Sequence, residues 1–376
     1  MTFGRIAREL GRRGHRVTVC RPAREDLGRE VVASDFVEEL FPGIPIPGYS
    51  LLRLGLPARR RLLRSWRQNR PDLVHVVTEG PLGASAVSAA RALNVPVTSS
   101  FHTNFHAYTS HYGFGLFRRA ALSWLRRVHN RTARTFAPTT QLCSELSEVG
   151  FKNLSVLSRG VDLGHFSPAR RSADLRASWG AGPNDIVVLH VGRMAAEKNY
   201  PLLFEAFTAM QAANPRIRCV LAGEGPLKAQ LTRDHPQHTF AGFFSRDEIG
   251  RYYASADIYI HASLTETFGN VLTEALASGL AVAGFNYAAA HQFVENEVNG
   301  LTVPTNEPNE LVAAAVRLAT DADLRDRLRA KARAALLEQS WEHVIERFET
   351  DLLAVTTQHA NPRPLNRALS TYGAMP

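Results

Sequence analysis

A chain of 376 residues with 45% hydrophobic content has room for two globular domains, and no apolar run in it nears the ~20 residues of a membrane-spanning helix. Its three cysteines (Cys20, Cys143, Cys219) lie far apart beside apolar runs, which fits buried free thiols and argues against a disulfide framework or a metal site. The net charge of +9 is lopsided: residues 1–150 hold 22 arginines, no lysine and 11 acidic residues, so this half implies an anionic partner, lipid or nucleic acid.

The Arg-rich start carries no secretory signal. GRIARELGRRGHRVTVCRP (4–22) reads as a helix stopped at Gly14, followed by a strand over 16–20. FPGIPIPGYS (41–50) has Pro and Gly too dense for a helix or central strand and reads as a loop. A helix over 57–69 carries Arg59, Arg60, Arg61, Arg64 and Arg67 around Leu62 and Trp66. A second basic segment, 118–134, carries Arg119, Arg126, Arg127, Arg131 and Arg134 with Trp124. Arg interspersed with Trp and Leu suits an interfacial helix on anionic lipid, the alternative being an ordinary solvated face. The basic residues do not alternate with a stacking aromatic series and match no recognition module, so nucleic acid is excluded as partner.

Residues 73–115 hold two strands and the helix between them, the second strand ending in SFHTNF (100–105); further strands are expected over 134–139 and 154–160. Beyond RGVDLGHFSP (159–168), a buried strand over 185–191 runs into GRMAAEKN (192–199), and CVLAGEGP (219–226) repeats the strand-then-Gly pattern. No complete G-x-G-x-x-G with a following acidic residue is present, which excludes a nicotinamide site. Residues 257–303 read strand, loop, helix, strand, loop, helix, the rhythm of a doubly wound parallel sheet, whose ligands sit at the carboxyl ends of the strands. Glu266 and Glu274, eight apart, flank a helix start whose free amides at Phe268, Gly269 and Asn270 can donate to an anionic or hydroxyl-rich ligand. Both glutamates would equally favour a helix N-terminus. An amphipathic helix is expected over 340–357, and 361–376 has the composition of a disordered tail.

ETFGNVLTEALASG (266–279) resembles the E-x7-E signature of retaining glycosyltransferases with the GT-B fold, and the likeness extends to RELGRRGHRVTV, GRMAAEKN and RGVDLGHFSP. The wording SFHTNF…HYGFG looks most like the branch that transfers mannose or sulfoquinovose to lipid acceptors. The resemblance implies an α/β chain of two Rossmann-like doubly wound parallel-sheet domains facing across a cleft. The acceptor-side domain would span 1–165 and the nucleotide-sugar domain 166–340, with a helix over 341–360 returning onto the first domain and a tail over 361–376. It also implies a first strand and Gly-rich loop ahead of the 4–13 helix, where only Met1, Thr2 and Phe3 stand; the first sheet is therefore expected to lack its first strand.

By the same resemblance, Arg193 and Lys198 face the donor diphosphate, Glu266 the donor-sugar hydroxyls, Glu274 the ribose, and His102 the anomeric centre. Gly192, Gly223, Gly242, Phe243, Thr267, Phe268, Gly269 and Asn270 complete the donor site. Glu79, Gly80 and His106 line the acceptor side. The implied enzyme is a hexosyltransferase, mannose from GDP-mannose being the favoured donor, acting on a lipid or lipid-linked acceptor. It would need no cofactor and no metal, and would sit in the cytoplasm on the inner face of the cell membrane through its basic domain. The alternative is a non-catalytic or N-terminally truncated nucleotide-sugar-binding protein.

Overall fold

The structure, a computed structural model, describes residues 2–23, 35–46, 49–102, 115–242, 245–263 and 265–360. Helix α1 (Thr2–Arg12) leads into β1 (Thr18–Pro22), which pairs in parallel with β2 (Val37–Phe41). Then come β3 (Gly43–Ile46), β4 (Tyr49–Gly55), α2 (Arg59–Gln68), β5 (Val74–Val76), α3 (Pro81–Ala92) and β6 (Val97–Ser100). Helix α4 (Gly115–His129), β7 (Arg134–Ala137), α5 (Thr140–Glu148) and β8 (Leu154–Val156) complete the first unit, whose main sheet runs β5-β6-β7-β8, all parallel.

Two features of this unit differ from the sequence reading. The segment 41–50 is not a loop: β3 and β4 form an antiparallel hairpin in which Pro45 pairs with Arg53. The hairpin is a separate two-stranded sheet, where a missing proline N–H breaks no central ladder. On α2, Leu62 is 0% exposed and Trp66 packs inward against the β5–β6 core. The apolar residues of α2 are thus spent on the interior, and its arginines and Gln68 face out. Helix α4 is the opposite case, since Trp124 is 48% exposed beside the exposed Arg126 and Arg127. The pair β1–β2 stands apart from the main sheet, and the Phe3 ring of α1 packs against His75 of β5 and His102, at 5.5 and 5.0 Å between centroids.

The second unit begins with α6 (Ala173–Ser178) and β9 (Ile186–Val191), followed by α7 (Tyr200–Ala213), β10 (Ile217–Ala222), α8 (Lys228–Asp234), β11 (Thr239–Gly242) and α9 (Arg246–Ser255). It continues through β12 (Ile258–His261), α10 (Asn270–Ala277), β13 (Ala281–Phe285), α11 (Ala289–Phe293), β14 (Leu301–Val303), α12 (Pro308–Thr320) and α13 (Ala322–Ala332). Its six strands are parallel in the order β11-β10-β9-β12-β13-β14. Both faces are covered, so β9 is apolar almost throughout: Ile186 and Val188 enter one core with Leu203 and Phe207, while Val187 and Leu189 enter the other with Tyr259 and Leu276. The order reverses between β9 and β12. That point is where a doubly wound sheet opens a crevice for ligands.

Asp257, ahead of β12, is buried and ties this unit together. Its carboxylate accepts from Arg171 and Arg176 at 2.8 Å each, from the Val187 amide at 2.9 Å, and lies 3.5 Å from Arg329. The last helix, α14 (Trp341–Ala360), crosses back to the first unit. There Ile345 and Phe348 share a core with Ile6 and Phe136, and Glu349 accepts from Arg13 at 2.8 Å. Cys20, Cys143 and Cys219 are free thiols.

Candidate active site

Three loops leave the carboxyl ends of β9, β10 and β11 in backbone contact with one another. The Gly192 amide donates to the Ala222 carbonyl at 3.0 Å and the Gly223 amide to the Gly242 carbonyl at 2.8 Å. Gly223 has φ +148, and a Cβ there would stand 1.9 Å from the Gly192 carbonyl oxygen. Gly223 therefore lets its loop approach that of Gly192, whereas a Cβ at Gly192 or Gly242 would meet no atom closer than 3.5 Å.

The two loops at the switch point are cross-linked. Ser263 and Thr265 hydroxyls donate to the Glu197 carbonyl at 3.3 and 3.2 Å, and Asn199, at φ +55, donates its side-chain amide to the Ala262 carbonyl at 3.3 Å. Lys198 and Glu266 close the junction as a mostly buried ion pair. Burial works against ionisation of Glu266, but His261, Lys198 and the Ser263 hydroxyl outweigh it and hold the carboxyl below its ordinary value. Arg193 is 64% exposed, with Glu197 3.8 Å away. The two cations thus differ, one locked to a carboxylate and one at the surface of the crevice.

At the head of α10, Gly269 takes φ +94, and the amides of Phe268, Gly269 and Asn270 have no hydrogen-bond partner among the described residues. The Phe268 ring is buried against Phe293, so only its backbone is available to a ligand; Thr267 is half-buried and Asn270 exposed. Glu274 lies one turn into the helix, where its charge adds to burial in pushing the Tyr253 and Tyr259 hydroxyls well above their ordinary range. Glu266 acts on Tyr259 in the same way, so both carboxylates bear on one buried phenol.

Across the cleft, His102 stands just beyond β6, and neither ring nitrogen has a partner among the described residues. Burial, with Arg159 second, lowers its pKa to about 4, so the imidazole is neutral at pH 7. Glu79 and Gly80 form the turn into α3, with the Glu79 carbonyl accepting from Trp124 Nε1 at 3.1 Å. Phe243 and His106 lie outside the described residues.

Residues 2–165 match the family described as Glycosyltransferase Family 4, and residues 172–335 match Glycosyl transferases group 1. The chain is 32% identical over 351 residues to the GDP-mannose-dependent alpha-mannosyltransferase of Mycobacterium tuberculosis, covering 91% of this chain and 89% of the relative. It belongs to the GT-B glycosyltransferases. The alpha-monoglucosyldiacylglycerol synthase of Acholeplasma laidlawii is 28% identical over 319 residues, 78% of each chain. Among solved structures, Anabaena HepE in complex with UDP superposes with a TM-score of 0.71 at 19% identity, over 90% of this chain and all of that one, a likeness of fold.

Sequence reading of this glycosyltransferase missed Gln141, Arg159 and His261 at the seam between its units. The Tyr287 hydroxyl donates to the Glu266 carbonyl at 2.9 Å, the Ala288 amide donates to Gln141 Oε1 at 3.1 Å, and Arg159 stands between His102 and Glu266 in electrostatic terms. His261, at the end of β12, is buried beside Glu266. The strand-end position of His261 was a usable signal; Gln141 and Arg159 carry none, because helices and linkers present such residues everywhere. Ala288 has φ +52 and ψ −120, a conformation that costs a residue with a Cβ about 1–3 kcal/mol. Ala288→Gly is therefore expected to stabilise the enzyme by about 1 kcal/mol after the entropy cost of glycine, seen as a later urea midpoint. An earlier midpoint would mean that the alanine is not strained.

Proposed function

We propose that this enzyme is a retaining hexosyltransferase that moves mannose from GDP-mannose to a lipid or lipid-linked acceptor at an anionic membrane surface. The observation that carries the reading is the Lys198–Glu266 pair at the switch point, with Arg193 beside it. Negative charge gathers on the departing diphosphate as its bond to the sugar breaks, and fixed cations aimed there stabilise that transition state without a metal ion. Arg193 can chelate two phosphate oxygens, and Lys198 acts as a point charge.

In this reading Glu266 accepts from donor-sugar hydroxyls, Glu274 from the ribose, and the Phe268–Asn270 amides orient the sugar. The neutral His102 faces the anomeric centre from the first unit. The leaving phosphate oxygen takes the acceptor's hydroxyl proton as the acceptor oxygen bonds to the anomeric carbon on the same face, so configuration is retained. Glu79 and Gly80 guide the acceptor. Helix α4, with Trp124 outward beside Arg126 and Arg127, rests on anionic headgroups. The names of the mannosyltransferase and diacylglycerol-linked relatives support the donor and the lipid acceptor. No helix of the described residues is long and apolar enough to cross a membrane, consistent with peripheral attachment.

Thermal unfolding with GDP, UDP, ADP and their sugar conjugates tests the donor. A ligand at 100 times its dissociation constant adds about 2.7 kcal/mol. Selective stabilisation by GDP, lost in Glu274→Ala, is the expected result. Selective stabilisation by UDP or ADP would replace mannose from GDP-mannose with another donor, and no response to any nucleotide would remove the transferase reading.

A further inference from the structure

Arg159 stands where the two units meet. Its carbonyl accepts from Gln339 Nε2 at 3.1 Å, and the neighbouring Ser158 hydroxyl accepts from Gln292 Nε2 on α11 at 2.6 Å. Both ends of this short stretch are thus held to the second unit, which fixes where the Arg159 side chain emerges. The guanidinium itself makes no hydrogen bond or ion pair among the described residues, and its Nε is buried without a partner.

Three other arginines of the seam and the core are satisfied. Arg5 pairs with Asp162 at 3.3 Å, Arg176 with Asp257, and Arg333 donates to three carbonyls at 2.7 Å. Burying the Nε without a partner is costly, since neither water nor protein then replaces its hydration, and the rest of the half-buried guanidinium has no protein partner among the described residues. Its two electrostatic neighbours do not offset that cost: Glu266 is already engaged by Lys198, and His102 is neutral. A cation held open between the sugar-facing carboxylate and the opposite wall of the cleft has the form of a site awaiting an anion.

We infer that Arg159 binds a phosphoryl group of the substrate, reaching it from the first-unit side of the cleft whose other wall carries Arg193 and Lys198. This rests on the transferase reading above. A planar guanidinium can present two parallel N–H groups to two phosphate oxygens, which a lysine cannot. Phosphate reaches this cleft from two sources, the donor's diphosphate and a phosphate on the lipid acceptor.

The test uses the full chain, with GDP and dioctanoyl phosphatidylinositol as probes, titrated calorimetrically into wild type, Arg159→Gln and Arg159→Lys. Arg159→Gln is expected to weaken one probe roughly 10- to 100-fold, with Arg159→Lys intermediate. Weakened GDP assigns the donor phosphates; weakened lipid alone assigns the acceptor. Unfolding of the ligand-free proteins separates this from a structural role, because removing an unpaired buried charge leaves the midpoint unchanged or raises it. Both probes bound as tightly as by wild type would overturn the inference, as would a destabilised Arg159→Gln protein rescued by lysine with both affinities intact. If wild type binds no nucleotide, the donor reading fails and the lipid titration alone decides Arg159.

Discussion

Lys198→Met is expected to lower kcat for sugar transfer by roughly 10²–10³-fold, the scale of removing one preorganised group that stabilises developing charge. Lys198 lies at the carboxyl end of a central strand and is held by loops bonded to each other at Glu197, Asn199, Ala262, Ser263 and Thr265, so methionine changes the charge without releasing the frame. The effect should fall mainly on kcat, because the diphosphate carries more charge in the transition state than in the bound donor. A second consequence follows from the Glu266 carboxyl. Burial, the largest influence on it, raises its pKa, and Lys198 is among the groups that reverse this. In the methionine variant burial is less opposed, so the acid limb of the kcat–pH profile should move to higher pH. Glu266→Gln should be similarly impaired, and the double variant should lose far less than the product of the two effects, because each single change leaves a charge buried alone. A Lys198→Met enzyme with raised KM and unchanged kcat would remove Lys198 from the chemistry.

The largest effect on stability is expected at Asp257. Asp257→Ala should lower the stability of the second unit by about 3–5 kcal/mol, since it strands Arg171, Arg176 and the Val187 amide around a vacated carboxylate. Burial raises the Asp257 pKa, but Arg171, the Val187 amide and Arg176 together bring it below its ordinary value. A depressed folded pKa gives stability that is fully present above the unfolded value of about 3.9 and lost as pH falls through the folded one. Wild type should therefore weaken in that acid window while the alanine variant shows a flatter response there. Urea unfolding at pH 7 and across the acid range measures both, and a pH 7 midpoint equal to wild type would refute the assignment.

The second unit was the more legible in sequence because its strands are buried on both faces. Continuous runs such as Ile186–Val191 followed by glycine admit few readings, and the Glu266 and Lys198 loops had to fall at their ends. A close backbone approach looks the same in sequence whether the visitor is a ligand or a neighbouring loop, and at Gly223 a neighbouring loop is there. Proline density hid the β3–β4 hairpin, because sequence does not say whether a strand will be central or peripheral. Trp66 and Trp124 each sit among arginines, yet one points in and the other out. That choice is made by which helix face meets the sheet, a tertiary decision. Arg159 was invisible for a related reason, as its interest lies in lacking a partner that sequence cannot place.

The return of α14 to the first unit has a consequence for synthesis of the chain. Arg13 and Glu349, which pair across that contact, are 336 residues apart. At ordinary elongation rates the ribosome adds the second partner roughly 20–70 s after the first. For about that interval Ile6 waits without Ile345, and Phe136, made later, waits a shorter time for Phe348; the apolar surface they leave open is exposed to the nascent chain's surroundings. The second unit, whose sheet is made within residues 186–303, has no such dependence. The order of translation and the order of completion are therefore reversed: the unit made first is the one finished last.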